Sequence, residues 1–238
     1  VKEKGIGVGR SRVKGSLKRE VFAHPGEILT DLGEMRARRG SWAKSLDGQA
    51  PLHLELGMGR GRFLADLAAR ENRVNYVGVE LKPDRCVTAR EKIRRKARRP
   101  FVVLNLAGEV LLSVFAPGEV QRIYLNFPDP WPSHMYRARR MFGESFLRIH
   151  QELLAPGGEL LFRSDQPDCY EELLSSLPRH LKLAEHGRDL HGVHEAMAGG
   201  LRDFKTEYER RYLAAGASIH YARLIKEVSG IVEIRAGC

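Results

Sequence analysis

The chain has 238 residues, 42% hydrophobic and 29% charged, the proportions of a globular protein with its own core rather than a disordered, fibrous or collagen-like one. Its 40 basic residues against 30 acidic ones leave a net charge of +10, which asks for a polyanionic partner, most simply nucleic acid. Three cysteines, Cys86, Cys169 and Cys238, form no Cys-x-x-Cys pair, which excludes a disulfide framework or a cysteine zinc site and fits a reducing cytosol.

No apolar run approaches the about 18 residues of a membrane helix, and no signal-like stretch opens the chain, so a cytoplasmic protein without membrane contact is expected. Residues 1–20 alternate Gly, Ser and basic residues without apolar periodicity and read as a flexible basic tail. Residues 21–50 form a lead-in in which Met35, Arg36, Arg38, Arg39 and Trp42 mark a basic approach to the core. The main domain is placed at residues 51–238.

From Pro51 onward, short β-rich runs alternate with helical patterns, the rhythm of βαβ units feeding a parallel sheet. The spacing predicts strands over 52–57, 75–81, 101–106, 122–127 and 159–165, with two final strands over 181–190 and 218–226. Helices are predicted at 61–71, 83–99, 109–116, 137–155, 167–177 and 206–216. The fold class is α/β, Rossmann-like, with a mostly parallel sheet of about seven strands flanked by helices.

The first strand runs through Glu55 into Gly57-Met58-Gly59-Arg60-Gly61 and directly into a helix, the place where such a sheet binds a nucleotide-like ligand. A dinucleotide fingerprint has its third glycine one residue later, where Arg62 stands. That shift, with Glu55 two residues ahead of the first glycine, points away from NAD and toward S-adenosylmethionine. Its ammonium can be neutralised by a carboxylate such as Glu55, and it has no pyrophosphate to seat on a helix N-terminus. The next strand ends at Glu80, placed to accept both ribose hydroxyls of an adenosine.

After the fourth strand comes Asn126-Phe127-Pro128-Asp129-Pro130-Trp131-Pro132, followed by Arg137, Arg139 and Arg140. Two flanking prolines fix the backbone of Asp129 beside the glycine loop, which suits a residue that positions a base; a proline-rich turn with a packing tryptophan is the plainer reading. Amino methyltransferases carry a related Pro-Pro-aromatic run at this point.

On these residues the chain resembles the bacterial tRNA (guanine-N7-)-methyltransferases. The resemblance runs from about Met35 to Lys226 and rests on the Glu-x-Gly-x-Gly-x-Gly loop, on Phe127 to Trp131 with Arg139-Arg140, and on Thr206-Glu207-Tyr208-Glu209. It implies transfer of a methyl group from S-adenosylmethionine to N7 of the variable-loop guanosine, position 46, of tRNA. It further implies that Glu55, Gly57, Gly59, Gly61, Glu80, Leu106 and Ala107 hold the cofactor and that Asp129 is the active-site carboxylate. Ser133, Arg137, Arg139, Arg140, Asp165, Thr206, Glu207, Tyr208 and Glu209 would meet the tRNA. The chain departs from the family at Leu106-Ala107, where an acidic residue is usual, with Glu109 the nearest substitute. It departs again at Ser133, His134 and Met135, where basic residues are usual. Methylation of another nucleobase, and a non-catalytic RNA-binding protein on a vestigial cofactor fold, are the competing readings; a monomer and a homodimer are both compatible with the sequence.

Plainer readings accompany several of these residues. Thr206 to Glu209 is also a capping box that would start a helix ending at Gly216. The run Arg94 to Arg99 is either a solvated helix terminus or an RNA-backbone contact. His186, His191, His194 and Glu195 meet no metal-ligand spacing, so no metal is expected. Phe63, Leu64, Leu67 and Ala68 form a core-facing helical stripe.

Overall fold

The computed structural model describes residues 28–192 and 203–228 except 47, 49 and 72. The basic tail of residues 1–20, His194, Glu195 and Cys238 lie outside them. Strands β2 (Leu52–Leu56), β3 (Asn75–Glu80) and β4 (Phe101–Asn105) are buried along their whole length. Helices cover both faces of a parallel sheet, which is why β3 and β4 read as near-continuous apolar runs; β2 alternates, and buries His53 and Glu55 along with its three leucines. With β1 (Ile28–Leu29), β5 (Val120–Asn126), β6 (Leu154–Ser164), β7 (Leu181–Gly187) and β8 (His220–Lys226), they form one sheet in the order β1-β4-β3-β2-β5-β6-β8-β7. Strand β8 alone is reversed, antiparallel to both β6 and β7.

Parallel neighbours require crossovers, and the connecting segments supply them. Helix α3 (Arg62–Arg70) follows β2 and buries Phe63, Leu64, Leu67 and Ala68, the predicted stripe. Helix α4 (Pro83–Arg94) follows β3 and starts with Pro83 in its first turn, where a missing N–H costs nothing. It ends at Arg94 rather than Arg99; beyond it the Arg98 N–H leaves the helix for the Ala68 carbonyl at 3.4 Å, and Pro100 disfavours helical geometry at Arg99. After β4 come a 3-10 turn (Gly108–Val110) and the short α5 (Leu111–Val114). Between β5 and β6 the predicted long helix is two pieces, a 3-10 segment (His134–Arg139) and α6 (Glu144–Leu153), with Gly143 as the N-cap of the second. Helix α7 (Pro167–Ser175) follows β6, and α8 (Glu207–Ala214) precedes β8.

The lead-in carries more structure than its sequence announced. Ile28 and Leu29 pair with Val103 and Leu104 to make β1, an eighth strand at the sheet edge. Helices α1 (Leu32–Ala37) and α2 (Trp42–Leu46) then cross the face that carries α5. Asp31 caps α1 by accepting the Glu34 N–H at 2.7 Å. Trp42 is fully buried and donates its indole N–H to the Val114 carbonyl at 2.9 Å. The Glu119 carboxylate accepts the N–H groups of Gly40, Trp42 and Ala116. Three elements are thereby pinned by one side chain.

Along the chain the strands proceed outward from β2 through β3 to β4, then restart on the other side of β2 at β5 and β6. The point of reversal lies between β2 and β5, where crossovers diverge and leave a crevice at the carboxyl ends of the strands.

Candidate active site

Every segment singled out for cofactor chemistry follows or ends a strand at that carboxyl edge. Gly57, Gly59 and Gly61 all take left-handed φ angles, 68°, 56° and 68°. At Gly61 a Cβ would lie 2.6 Å from the Ala89 Cβ, so only glycine lets α3 and α4 pack this closely. At Gly57 and Gly59 nothing lies within 4 Å of the Cβ position, which leaves the backbone open toward a ligand.

Glu80 ends β3 and spans the loop with its carboxylate. Oε2 accepts the Gly59 N–H at 3.0 Å and Oε1 the Lys82 N–H at 2.8 Å, while Arg85 approaches Oε2 at 3.9 Å. Its carbonyl receives the Leu106 N–H at 3.2 Å and the Asn105 amide at 3.0 Å. Leu106 and Ala107 are therefore drawn up beside Glu80, Leu106 buried and Ala107 half-buried.

Glu55 is buried, and Asn126, across the point of reversal on β5, donates to its Oε1 at 2.9 Å. Its Oε2 is buried without a hydrogen-bond partner among the described residues. Burial pushes this carboxyl up to about 8, against the opposing pull of the Asn126 amide and the Arg163 guanidinium. A buried carboxylate lacking one partner is the arrangement an incoming ammonium would complete. The residues present thus fit S-adenosylmethionine: an acid for its ammonium, an open glycine loop and a fixed second carboxylate for its ribose.

Asp129 is exposed at the tip of the loop after β5. The loop is bracketed by two non-glycine residues in the left-handed region, Phe127 at 50° and Trp131 at 42°, a conformation that costs of order 1–3 kcal/mol per residue. With Pro128 and Pro130 fixing φ between them, Asp129 has little conformational freedom of its own. Arg140 ties the far end down, donating through Nε and Nη2 to the Trp131 carbonyl at 3.1 and 2.9 Å and through Nη1 to Glu172. Its guanidinium faces the protein, whereas Arg137 is largely exposed, 3.6 Å from Glu172. Arg139 lies 5.4 Å from the Trp131 ring centroid and 5.2 Å from that of Tyr136. Ser133 is exposed before the 3-10 segment, and its side chain makes no capping bond.

On the other side of the crevice, Asp165 follows β6 and is half-buried. Burial, then the Asp165 carboxylate to which it is hydrogen-bonded, holds the Tyr212 phenol above its usual value. Thr206 and Glu209 form the capping box the sequence allows, with Glu209 N–H to Thr206 Oγ1 and Thr206 N–H to Glu209 Oε2 both at 3.0 Å. Both are buried, Glu207 is half-buried and Tyr208 is 50% exposed. Phe127 lies 5.8 Å from Tyr212 and 6.4 Å from Tyr208, ring to ring. Helix α8 therefore meets the Asp129 loop through an aromatic cluster.

Sequence reasoning missed Asn126, Arg163 and Tyr212. A signal existed for the first two: each is a polar residue in a strand that is otherwise apolar at its buried end.

The chain matches, over residues 49–222, the family model described as "Putative methyltransferase". It is 33% identical over 218 residues to the tRNA (guanine-N(7)-)-methyltransferase of Geobacillus kaustophilus, covering 91% of this chain and 97% of that protein. The enzyme of the same name from Bacillus subtilis is 34% identical over 187 residues, 78% of this chain and 85% of that protein. The solved structure of TrmN from Thermus thermophilus superposes with a TM-score of 0.54 at 17% identity, covering 82% of this chain and 48% of that one, a likeness of fold. The family-model match spans the glycine loop, the Asp129 loop and α8, and by the two relatives the chain belongs to the tRNA (guanine-N7-)-methyltransferase family.

Proposed function

We propose that the protein transfers the methyl group of S-adenosylmethionine to N7 of the variable-loop guanosine, position 46, of tRNA. The observation that carries the reading is the juxtaposition, across one crevice, of the incompletely partnered Glu55 beside the open glycine loop and the exposed, rigidly held Asp129. The named relatives supply the substrate. Bound in the crevice, S-adenosylmethionine supplies an electrophilic methyl group on a positively charged sulfur.

Guanine N7 carries an in-plane lone pair at neutral pH, so it attacks without losing a proton, and no residue is required as a general base. The chain contributes position and charge. Glu55 holds the methionine ammonium, Glu80 the ribose hydroxyls, and Leu106-Ala107 flank the adenine. Asp129 accepts from the donor edge of the guanine, and its negative charge offsets the positive charge the purine acquires as the methyl group arrives. Tyr208 offers an exposed ring beside Phe127 for stacking on the base, worth about 1–3 kcal/mol in comparable contacts. Arg137 and Arg139 are free to meet phosphates; Ser133, Asp165 and Glu207 line the same approach. Arg140, Thr206 and Glu209 serve the substrate indirectly, by fixing the Trp131 loop and the start of α8.

The test is to incubate the protein with labelled S-adenosylmethionine and tRNA lacking this modification, then locate the label by strand scission specific for N7-methylguanosine. Scission at position 46 is expected. Label at another base would replace the assignment, and absence of transfer to any RNA would favour a binding protein.

A further inference from the structure

A buried polar chain runs beneath the two halves of the crevice. Asn126 Nδ2 donates to Glu55 Oε1 at 2.9 Å, and Asn126 Oδ1 accepts from Arg163 Nε at 2.7 Å. Arg163 Nη1 then donates to the Phe204 carbonyl at 2.9 Å and to Glu209 Oε2 at 2.7 Å. Glu209 Oε1 lies 2.9 Å from His191 Nε2, and its Oε2 accepts the Thr206 N–H. The side chains of Arg163 and Glu209 are both 0% exposed. The Arg163 guanidinium also sits 4.7 Å from the Phe63 ring centroid, on the helix that leaves the glycine loop.

A buried ion pair is weak evidence for stability, because desolvation of both charges offsets their attraction. This one joins the cofactor carboxylate to the N-terminus of the helix that carries Tyr208, and only a planar, multi-donor group can serve Asn126, Phe204 and Glu209 at once. We propose that Arg163 is a positioning residue shared by the two sites: through Asn126 it orients and electrically biases Glu55, and through Glu209 it holds the capped start of α8. A change of charge at Glu209 is then read at the cofactor ammonium, although Glu209 touches neither ligand. The inference rests on Glu55 being the carboxylate that receives that ammonium.

The charges around the chain fix the sign. Glu55 faces Arg163 on β6, the like-charged Glu80 on β3, the Asn126 amide on β5 and the Leu64 N–H at the start of α3. Arg163 faces Glu209, Glu55 and Tyr124, and Glu209 also faces His191. While Glu209 is ionised, the guanidinium charge is divided between two carboxylates. Neutralising Glu209 leaves that charge to Glu55, favours its ionised form and lowers the pH at which it ionises.

S-adenosylmethionine is titrated calorimetrically into the full chain across about pH 6 to 9 for the parent, E55Q, E209Q and R163K. The ligand's own amine titrates alike in all four and drops out of the comparison. In E55Q the rise of affinity with pH is expected to disappear, which checks the underlying assignment by itself; an E55Q variant indistinguishable from the parent removes that assignment and the inference with it. With E55Q behaving as expected, E209Q moves the midpoint down by about half a pH unit or more, a threefold change in proton affinity. R163K, which keeps the charge but not the fork, weakens binding threefold or more at a temperature where it remains fully folded, and kcat/KM for tRNA falls in parallel. Parent-like midpoint and affinity in E209Q and R163K, with lowered melting temperatures, would reduce Arg163 to a scaffold residue and overturn the proposal. Should E209Q fail to fold, parent-like affinity in R163K alone overturns it.

Discussion

Glu55 joins a sequence position to a measurable proton. Its carboxyl titrates at about 8 in the folded protein against an ordinary value of 4.5, so in the free protein at neutral pH it is largely protonated. An arriving ammonium favours the ionised form, and cofactor binding near pH 7 should release a proton. Calorimetry in two buffers of different ionisation enthalpy measures that proton, and Glu55→Gln should abolish it. The linkage to stability has the same sign. Below 4.5 both states are protonated; as pH rises toward 8 the unfolded chain loses this proton and the folded one keeps it, so stability declines across the window. Glu55→Gln is expected to gain on the parent in denaturant midpoint from pH 5 to pH 8. At Asp129 the expectation concerns rate. Asp129→Asn keeps shape and reach but removes the charge, and a loss on the order of 10²-fold in single-turnover rate, roughly 2.7 kcal/mol, is expected with cofactor affinity retained. Equal rates would reduce Asp129 to a turn residue.

Among the elements, α8 begins with a buried capping box and an exposed aromatic ring within four consecutive residues, and the proposed function divides structural and recognition roles between them. Thr206→Ala removes a buried cap and should cost about 1 kcal/mol of stability, read as a shift in denaturant midpoint at unchanged slope. Tyr208→Ala, at an exposed position, should leave the midpoint in place and lower kcat/KM for tRNA. The sequence carried both meanings at once, since a capping box and a substrate motif use the same letters. Other element-level features were readable for definite reasons: β3 and β4 as apolar runs, β2 by its alternation, and the α3 stripe by its period. The lead-in was not, because a two-residue strand has no period and α1 and α2 are too short to show one. The Glu55–Asn126–Arg163–Glu209 chain was illegible because its members are far apart in sequence and meet only through strand register, Asn126 opposite Arg163 on β6. Glu55 and Asp129 stand out in the sequence because their neighbours, glycines and prolines, announce unusual backbone locally.

At the scale of the whole molecule the net charge is +10, and the described residues include two groups of basic side chains. Helix α4 runs away from the crevice, and its 12 residues carry the chain about 18 Å from it. Arg94 there pairs with Glu91, and Lys96 with Asp66. Arg137, Arg139, Lys205, Arg210 and Arg211, on the segments of the Asp129 loop and α8, are exposed as well, and it is this second group that the proposed function places against the tRNA. Plots of log tRNA affinity against log salt should therefore lose slope by about 1 for Arg137→Ala or Arg139→Ala. Arg94→Ala and Lys96→Ala should leave the slope unchanged; an equal loss there would extend the RNA footprint to the opposite edge of the sheet.

The reversed strand β8 has a further consequence, for how the protein is born. It enters the sheet between β6 and β7, yet among the described strands it is the last to be synthesised. Until His220–Lys226 has emerged, residues 159–164 of β6 offer a row of unpaired backbone groups, and β7 has no neighbour at all. Glu209, too, must arrive before Arg163 finds its carboxylate. From the synthesis of Ser164 until that of His220 the nascent chain thus carries an open, apolar strand edge, the condition under which strands pair with the wrong chain. Slowing the ribosome once β6 has emerged should prolong that interval and lower the yield of soluble protein.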